Sequence, residues 1–124
     1  MKNLDLIIER GKNKMIWGRV TYKSNLVVES SKTIPGLENK IKKLLLDFHG
    51  IKEINFNHLY DLRAFFDRFD SLNQSKLAHL ASINPSLLRQ YASGTKFPSI
   101  QQASKIEKAI HKLAEELSKV SIYA

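Results

Sequence analysis

Leu72-Asn-Gln-Ser-Lys-Leu-Ala-His-Leu-Ala-Ser-Ile-Asn-Pro-Ser-Leu-Leu-Arg-Gln-Tyr-Ala-Ser-Gly-Thr-Lys-Phe-Pro98 is the stretch on which the reading of this chain turns. Ser71 and Gln74 have capping-box spacing and open a first helix. Asn84-Pro85 stops that helix and starts a second, because asparagine caps well and proline fits the first helical position. Ser93-Gly94 closes the second helix with a C-cap glycine. The stretch therefore reads as two short helices joined by a tight turn. Ala78 and Ala81 are small where the helices would cross, and Leu77, Leu80, Ile83, Leu87, Leu88 and Tyr91 would fill a shared core.

Helical signals continue on both sides. Pro98-Ser99 opens a last helix, with Gln102 at the spacing of a second capping box, and Ile100, Ala103, Ile106, Ile110, Leu113, Leu117 and Val120 stripe it. Upstream, Asp61 caps a segment carrying Leu62, Phe65, Phe66 and Phe69. Before that the period changes. Leu4, Leu6 and Ile8 alternate with Asp5, Ile7 and Glu9, and Arg10-Gly-Lys-Asn13 carries turn signals. Ile16, Val20 and Tyr22 fall on one side of a second strand with Trp17 and Arg19 on the other, and Leu26-Val-Val28 makes a third. Leu37, Ile41, Leu44, Leu45 and Phe48 then form one helix face, with Thr33 as cap and Gly50 as stop. Ile54, Phe56, His58 and Tyr60 alternate again as a fourth strand. The expected fold is α+β: a small antiparallel sheet of three to four strands with one helix, followed by an all-helical domain of about four helices. The expected domains are residues 1–58 and 59–124.

Composition narrows the function classes. The chain has no cysteine, which excludes a disulfide scaffold, a thiolate zinc site and thiol chemistry. No apolar run reaches the roughly 18 residues that span a bilayer, and Met1-Lys-Asn-Leu-Asp-Leu-Ile-Ile-Glu is too short and too charged for an export signal, so a cytoplasmic protein is expected. The net charge is +8, which favours a polyanionic partner. Split at Asn57, the first part has eleven basic against six acidic residues and the second nine against six, so the basicity is spread along the chain. Asp5, Glu9 and Glu29 are scattered over strand ends, where carboxylates are usually solvated rather than gathered for metal-assisted chemistry. His49, His58, His79 and His111 do not cluster, and no catalytic motif or glycine-rich phosphate loop is present. Trp17 reads as a packing residue. No enzyme activity, cofactor or metal is expected.

The two short helices make a chemical demand that a nucleic acid would meet. In a helix-turn-helix the second helix enters the major groove and presents hydrogen-bonding side chains from its N-terminal end. Ser86, Arg89 and Gln90 fit that role, with Asn84 at the cap; arginine and glutamine can make bidentate contacts to guanine and adenine edges. Gln74 and Ser75, at the opening of the first helix, are placed to grip phosphate, and Lys76 and Lys96 are further phosphate candidates. The Gln74-Ser-Lys-Leu-Ala78 opening, Ile83 and the Tyr91-x-x-Gly94-x-x-x-Pro98 ending resemble the Xre/Cro-type helix-turn-helix family over roughly residues 61–117. Two positions depart from it: Ser82 stands where the family often has glycine at the turn, and Pro85 where relatives often place a base-reading side chain.

With Leu4-Asp-Leu-Ile-Ile-Glu9, Trp17-Gly-Arg-Val20 and Ser30–Phe48 placed before such a module, nearly the whole chain resembles the HicB antitoxin family. That resemblance implies a partial ribonuclease-H-like N-terminal domain that blocks a small HicA-like ribonuclease toxin. It also implies dimeric binding to a palindromic operator and repression of the protein's own operon. A basic toxin calls for an acidic antitoxin surface, whereas the N-terminal part carries +5. A local acidic patch of Asp5, Glu9 and Glu29, or a solitary regulator without a toxin, are the two ways to meet that mismatch. An assembly module that pairs through the last helix and never touches DNA is the alternative from another class.

Overall fold

A computed structural model describes residues 1–124, and the chain divides into two compact units, Met1–Phe65 and Phe66–Ala124. In the first unit, strands β1 (Lys2–Arg10), β2 (Ile16–Tyr22) and β3 (Asn25–Ser31) form a meander, helix α1 (Ile34–His49) follows, and β4 (Ile54–Tyr60) returns to the sheet. The sheet order is β3-β2-β1-β4. β1 and β2 pair antiparallel, as do β2 and β3, whereas β4 lies parallel to β1 in the register Lys2↔Ile54 to Ile8↔Tyr60.

The sheet is thus mixed, and α1 is interleaved with its strands. The expected sequence of an antiparallel sheet followed by an all-helical domain does not describe the chain. The reason lies in the connection. A helix carries the chain back along the length of a strand, so the strand after it runs in the same direction as the strand before it. β3 is parallel to β1 in the meander, and β4 inherits that direction.

Leu37, Ile41 and Leu45 of α1 are fully buried against Leu6, Ile8 and Val20 of the sheet, with Ile34, Ile51, Ile54 and Ala64 completing the core. The close approach depends on Gly18: a Cβ there would stand 2.6 Å from Leu37 Cδ2. The helix begins where expected, with the Thr33 hydroxyl accepting from the Gly36 N–H at 3.1 Å, and ends at Gly50 in the left-handed region with φ 66°. Phe48, expected on the buried stripe, is 76% exposed. Trp17, expected to pack, is about half exposed and lies over Gly11 on the face of the sheet away from α1.

Helix α2 (Leu62–Arg68) spans the boundary between the units, capped by Asp61, whose Oδ1 accepts from the Ala64 N–H at 2.7 Å. The second unit holds α3 (Gln74–Leu80), α4 (Pro85–Ser93) and α5 (Ile100–Ser118). Leu77, Ala78, Ala81, Ile83, Leu88, Tyr91, Ile106 and Ala109 are buried in it. Leu80, expected in this core, is 46% exposed, because α3 turns it away from the face that Leu77 and Ala78 bury. No helix is long and apolar enough to cross a membrane.

Candidate nucleic-acid interface

The geometry of α3 and α4 is set by their caps. The N-cap of α3 is Asn73, whose side chain accepts from the Lys76 N–H at 3.0 Å; the expected box of Ser71 and Gln74 is therefore not the start signal used. Asn84 caps α4 by accepting from the Ser86 N–H at 2.8 Å, and Pro85 occupies the first turn. Four residues separate the helices, and Ser82 among them adopts a left-handed conformation with φ 56°. The reversal is closed by Ile83 N–H donating to Ala78 O at 2.9 Å. Gly94, with φ 81°, ends α4, and the Gln90 carbonyl accepts from both Thr95 and Lys96 N–H groups. At α5 the Ser99 hydroxyl accepts from the Gln102 N–H at 3.1 Å, but Gln102 Oε1 is buried without a hydrogen-bond partner, so the reciprocal half of that capping box is not made.

Two consecutive helices of seven and nine residues across a four-residue reversal, with a third helix against the first, make a helix-turn-helix arrangement. On α4, Leu88 and Tyr91 face the core while Ser86, Arg89 and Ser93 are exposed at i, i+3 and i+7, one stripe of one helix. Arg89 organises that stripe. Its Nη2 donates to Ser86 Oγ at 3.2 Å and its Nη1 to Ser75 Oγ on α3 at 3.4 Å. One guanidinium therefore bridges the two helices, with no acidic residue among its hydrogen-bond partners.

The residues singled out from sequence fall into distinct places. Ser75, Ser86 and Arg89 are brought together. Asn84 is exposed but its side-chain oxygen is engaged as the cap. Gln74, at the first position of α3, and Gln90 are part-buried, whereas Lys76 and Lys96 are exposed, Lys96 in the turn after α4. Sequence reasoning missed Ser93, whose hydroxyl donates to Gln90 O at 3.1 Å and lies 2.8 Å from Thr95 Oγ1. Its spacing from Ser86 and Arg89 was the available signal.

No family model, curated protein or solved structure matches the chain. The site must be read from its own chemistry. It offers neutral hydroxyl and amide groups and one guanidinium along an exposed helix face, with lysines at Lys76 and Lys96 and no carboxylate on α3 or α4. Such a surface can donate to phosphate oxygens and to acceptor-rich base edges.

The carboxylates of the first unit do not converge. Asp5 and Glu9 lie on the sheet face away from α1, where Asp5 accepts from Asn57 at 3.4 Å and Glu9 pairs with Arg19 at 2.9 Å. Glu29 stands opposite Gly18, on the face that α1 covers. The acidic patch of Asp5, Glu9 and Glu29, one of the two ways to meet a basic toxin, is thus divided between two faces of the sheet. No three His, Asp or Glu side chains are grouped to hold a metal ion.

Proposed function

We propose that the chain is a DNA-binding transcriptional regulator of the cytoplasm, in which α4 reads base edges in the major groove and the first unit is an interaction domain. The observation that carries the reading is Arg89, exposed on α4 and bonded to Ser86 and to Ser75 of α3. An arginine held by neutral hydroxyls keeps its charge available, and on binding it can exchange those long contacts for a bidentate pair with guanine. Ser86 and Gln90 are further readers, with Gln74, Ser75, Lys76, Asn84 and Lys96 toward the backbone. The resemblance to HicB antitoxins extends the proposal: the protein represses its own operon as a dimer on a palindromic site and neutralises a small ribonuclease encoded beside it.

The DNA reading is tested by titrating labelled duplex from upstream of the protein's own coding sequence against a scrambled duplex of equal length. Arg89→Ala should remove about 1–3 kcal/mol of the preference between them, while Lys76→Ala should weaken both equally. Equal binding of both duplexes by the unaltered protein would refute sequence-specific reading. The antitoxin extension is tested by co-expressing the neighbouring open reading frames: a small basic protein should co-purify and lose nuclease activity, and its absence would leave a solitary regulator.

A further inference from the structure

The sheet has two free edges, and they are built differently. β4 carries Asn55, Asn57 and His58, the last paired with Glu38 of α1 at 2.5 Å. β3 reads Asn-Leu-Val-Val-Glu-Ser-Ser, in continuous register with β2 through all seven residues. It has no proline, no bulge and no lysine within the strand, and its protection is confined to the far end, where Glu29 turns toward the face that α1 covers. Leu26 is 61% and Val28 45% exposed on it, and a groove beside it is lined by Val27, Leu44, Phe48 and His49.

The β2–β3 turn fixes which backbone groups face outward. Lys23 and Ser24 both have positive φ, 48° and 66°, the signature of a two-residue type I′ turn. Tyr22 and Asn25 are then the closing hydrogen-bonded pair, and alternation turns the N–H and C=O groups of Leu26, Val28 and Ser30 away from β2. The Ser30 carbonyl is already taken: Lys40 Nζ donates to it at 2.7 Å. Pairing along this edge is thereby limited to Leu26 and Val28.

We propose that β3 pairs with β3 of a second copy of the chain, antiparallel about a twofold axis at Val27. Two free positions two residues apart satisfy each other in this one register: Leu26 opposite the partner's Val28, Val28 opposite the partner's Leu26. Four backbone hydrogen bonds form, and the four exposed aliphatic side chains meet on one face of a continuous sheet. On the other face Val27 meets its twin, Asn25 meets the partner's Glu29, and the grooves carrying Phe48 lie on the same side of the joined sheets. The self-complementary register argues for a copy as the occupant, and charge does not oppose it although the unit is basic. In this register Lys23 falls opposite the partner's Ser31 and Lys32 opposite the partner's Tyr22, so no lysine of the hairpin opposes a lysine. A foreign strand would gain from pairing along the whole edge, and Lys40 forecloses that. The inference stands on the first unit alone and is independent of the DNA reading.

The test is the mass of the full chain by light scattering or sedimentation at micromolar concentration, with circular dichroism to verify folding. Leu26→Lys with Val28→Lys places like charges opposite each other and should halve the mass; Leu26→Glu with Val28→Glu should do the same. Mixing the two variants should restore the original mass as a heterodimer, since opposite charges then face across the axis. A monomeric unaltered chain overturns the proposal. So does a mass unchanged in both folded variants, and so does a mixture that stays at half mass.

Discussion

Ser82 is a residue at which the local backbone and the side chain disagree. Its φ of 56° lies where a Cβ is penalised, and the turn between α3 and α4 holds it there through Ile83 N–H bonded to Ala78 O. Ser82→Gly should stabilise the protein by about 1 kcal/mol, read as a higher melting temperature or denaturant midpoint, with DNA binding unaltered. Asp61 is a second case. Burial raises its pKa, outweighing the Ala64 N–H that lowers it, and Glu9 nearby adds to the rise. For a carboxyl raised on folding, the native state keeps its proton in a window just above the ordinary aspartate range while the unfolded chain has released it. Stability is therefore highest on the acid side of that window and falls as pH rises through it. Asp61→Asn retains a cap acceptor without the charge, so it should flatten that slope and match or exceed the parent at neutral pH; a steeper slope would refute the assignment. Ser82 was legible as a strained turn because it stands where helix-turn-helix proteins of the Xre/Cro type often have glycine. The bridge from Arg89 to Ser75 was not, because fourteen residues separate them and only the crossing of two helices brings them together.

Among the elements, caps and periodicity carried most of the information. Thr33, Gly50, Asp61, Asn84, Gly94 and Ser99 all serve at the ends where proline, glycine and polar punctuation placed them. Asn73 displaced Ser71 because both are good caps and only the backbone path chooses between them. The direction of β4 is set by its connection through α1 and not by its own alternation, which specifies which side chains face the core but not which neighbour the strand joins. Leu80 and Phe48 fit helical stripes wider than the surfaces that cover them. Gly18 shows what such coverage requires. A methyl group there would press on Leu37, so Gly18→Ala should cost about 1–3 kcal/mol in chemical unfolding, and the double variant with Leu37→Ala should cost less than the sum of the two single ones. Leu45→Ala, which only empties space, should cost about 2–5 kcal/mol and add to Gly18→Ala without such coupling.

Over the whole molecule the +8 charge is the dominant long-range property. Binding to duplex DNA should weaken linearly in log–log plots against salt, by about 0.9 for each phosphate neutralised, and Lys96→Ala should reduce that slope by about one phosphate. A slope near zero would remove phosphate contact from the account. The arrangement of the sheet bears on something else, the order in which the chain acquires its structure. β1 sits inside the sheet, yet one of its two neighbours begins at Ile54, 52 residues beyond its register partner Lys2. The hairpins can close within a short span, but β1 keeps a bare flank of Leu4, Leu6 and Ile8 until Tyr60 has been made. During synthesis the N-terminal segment is thus an unfinished template that any extended chain could occupy. The slowest step in maturation should be the arrival of β4, and the protein is most vulnerable to mispairing in the interval before it.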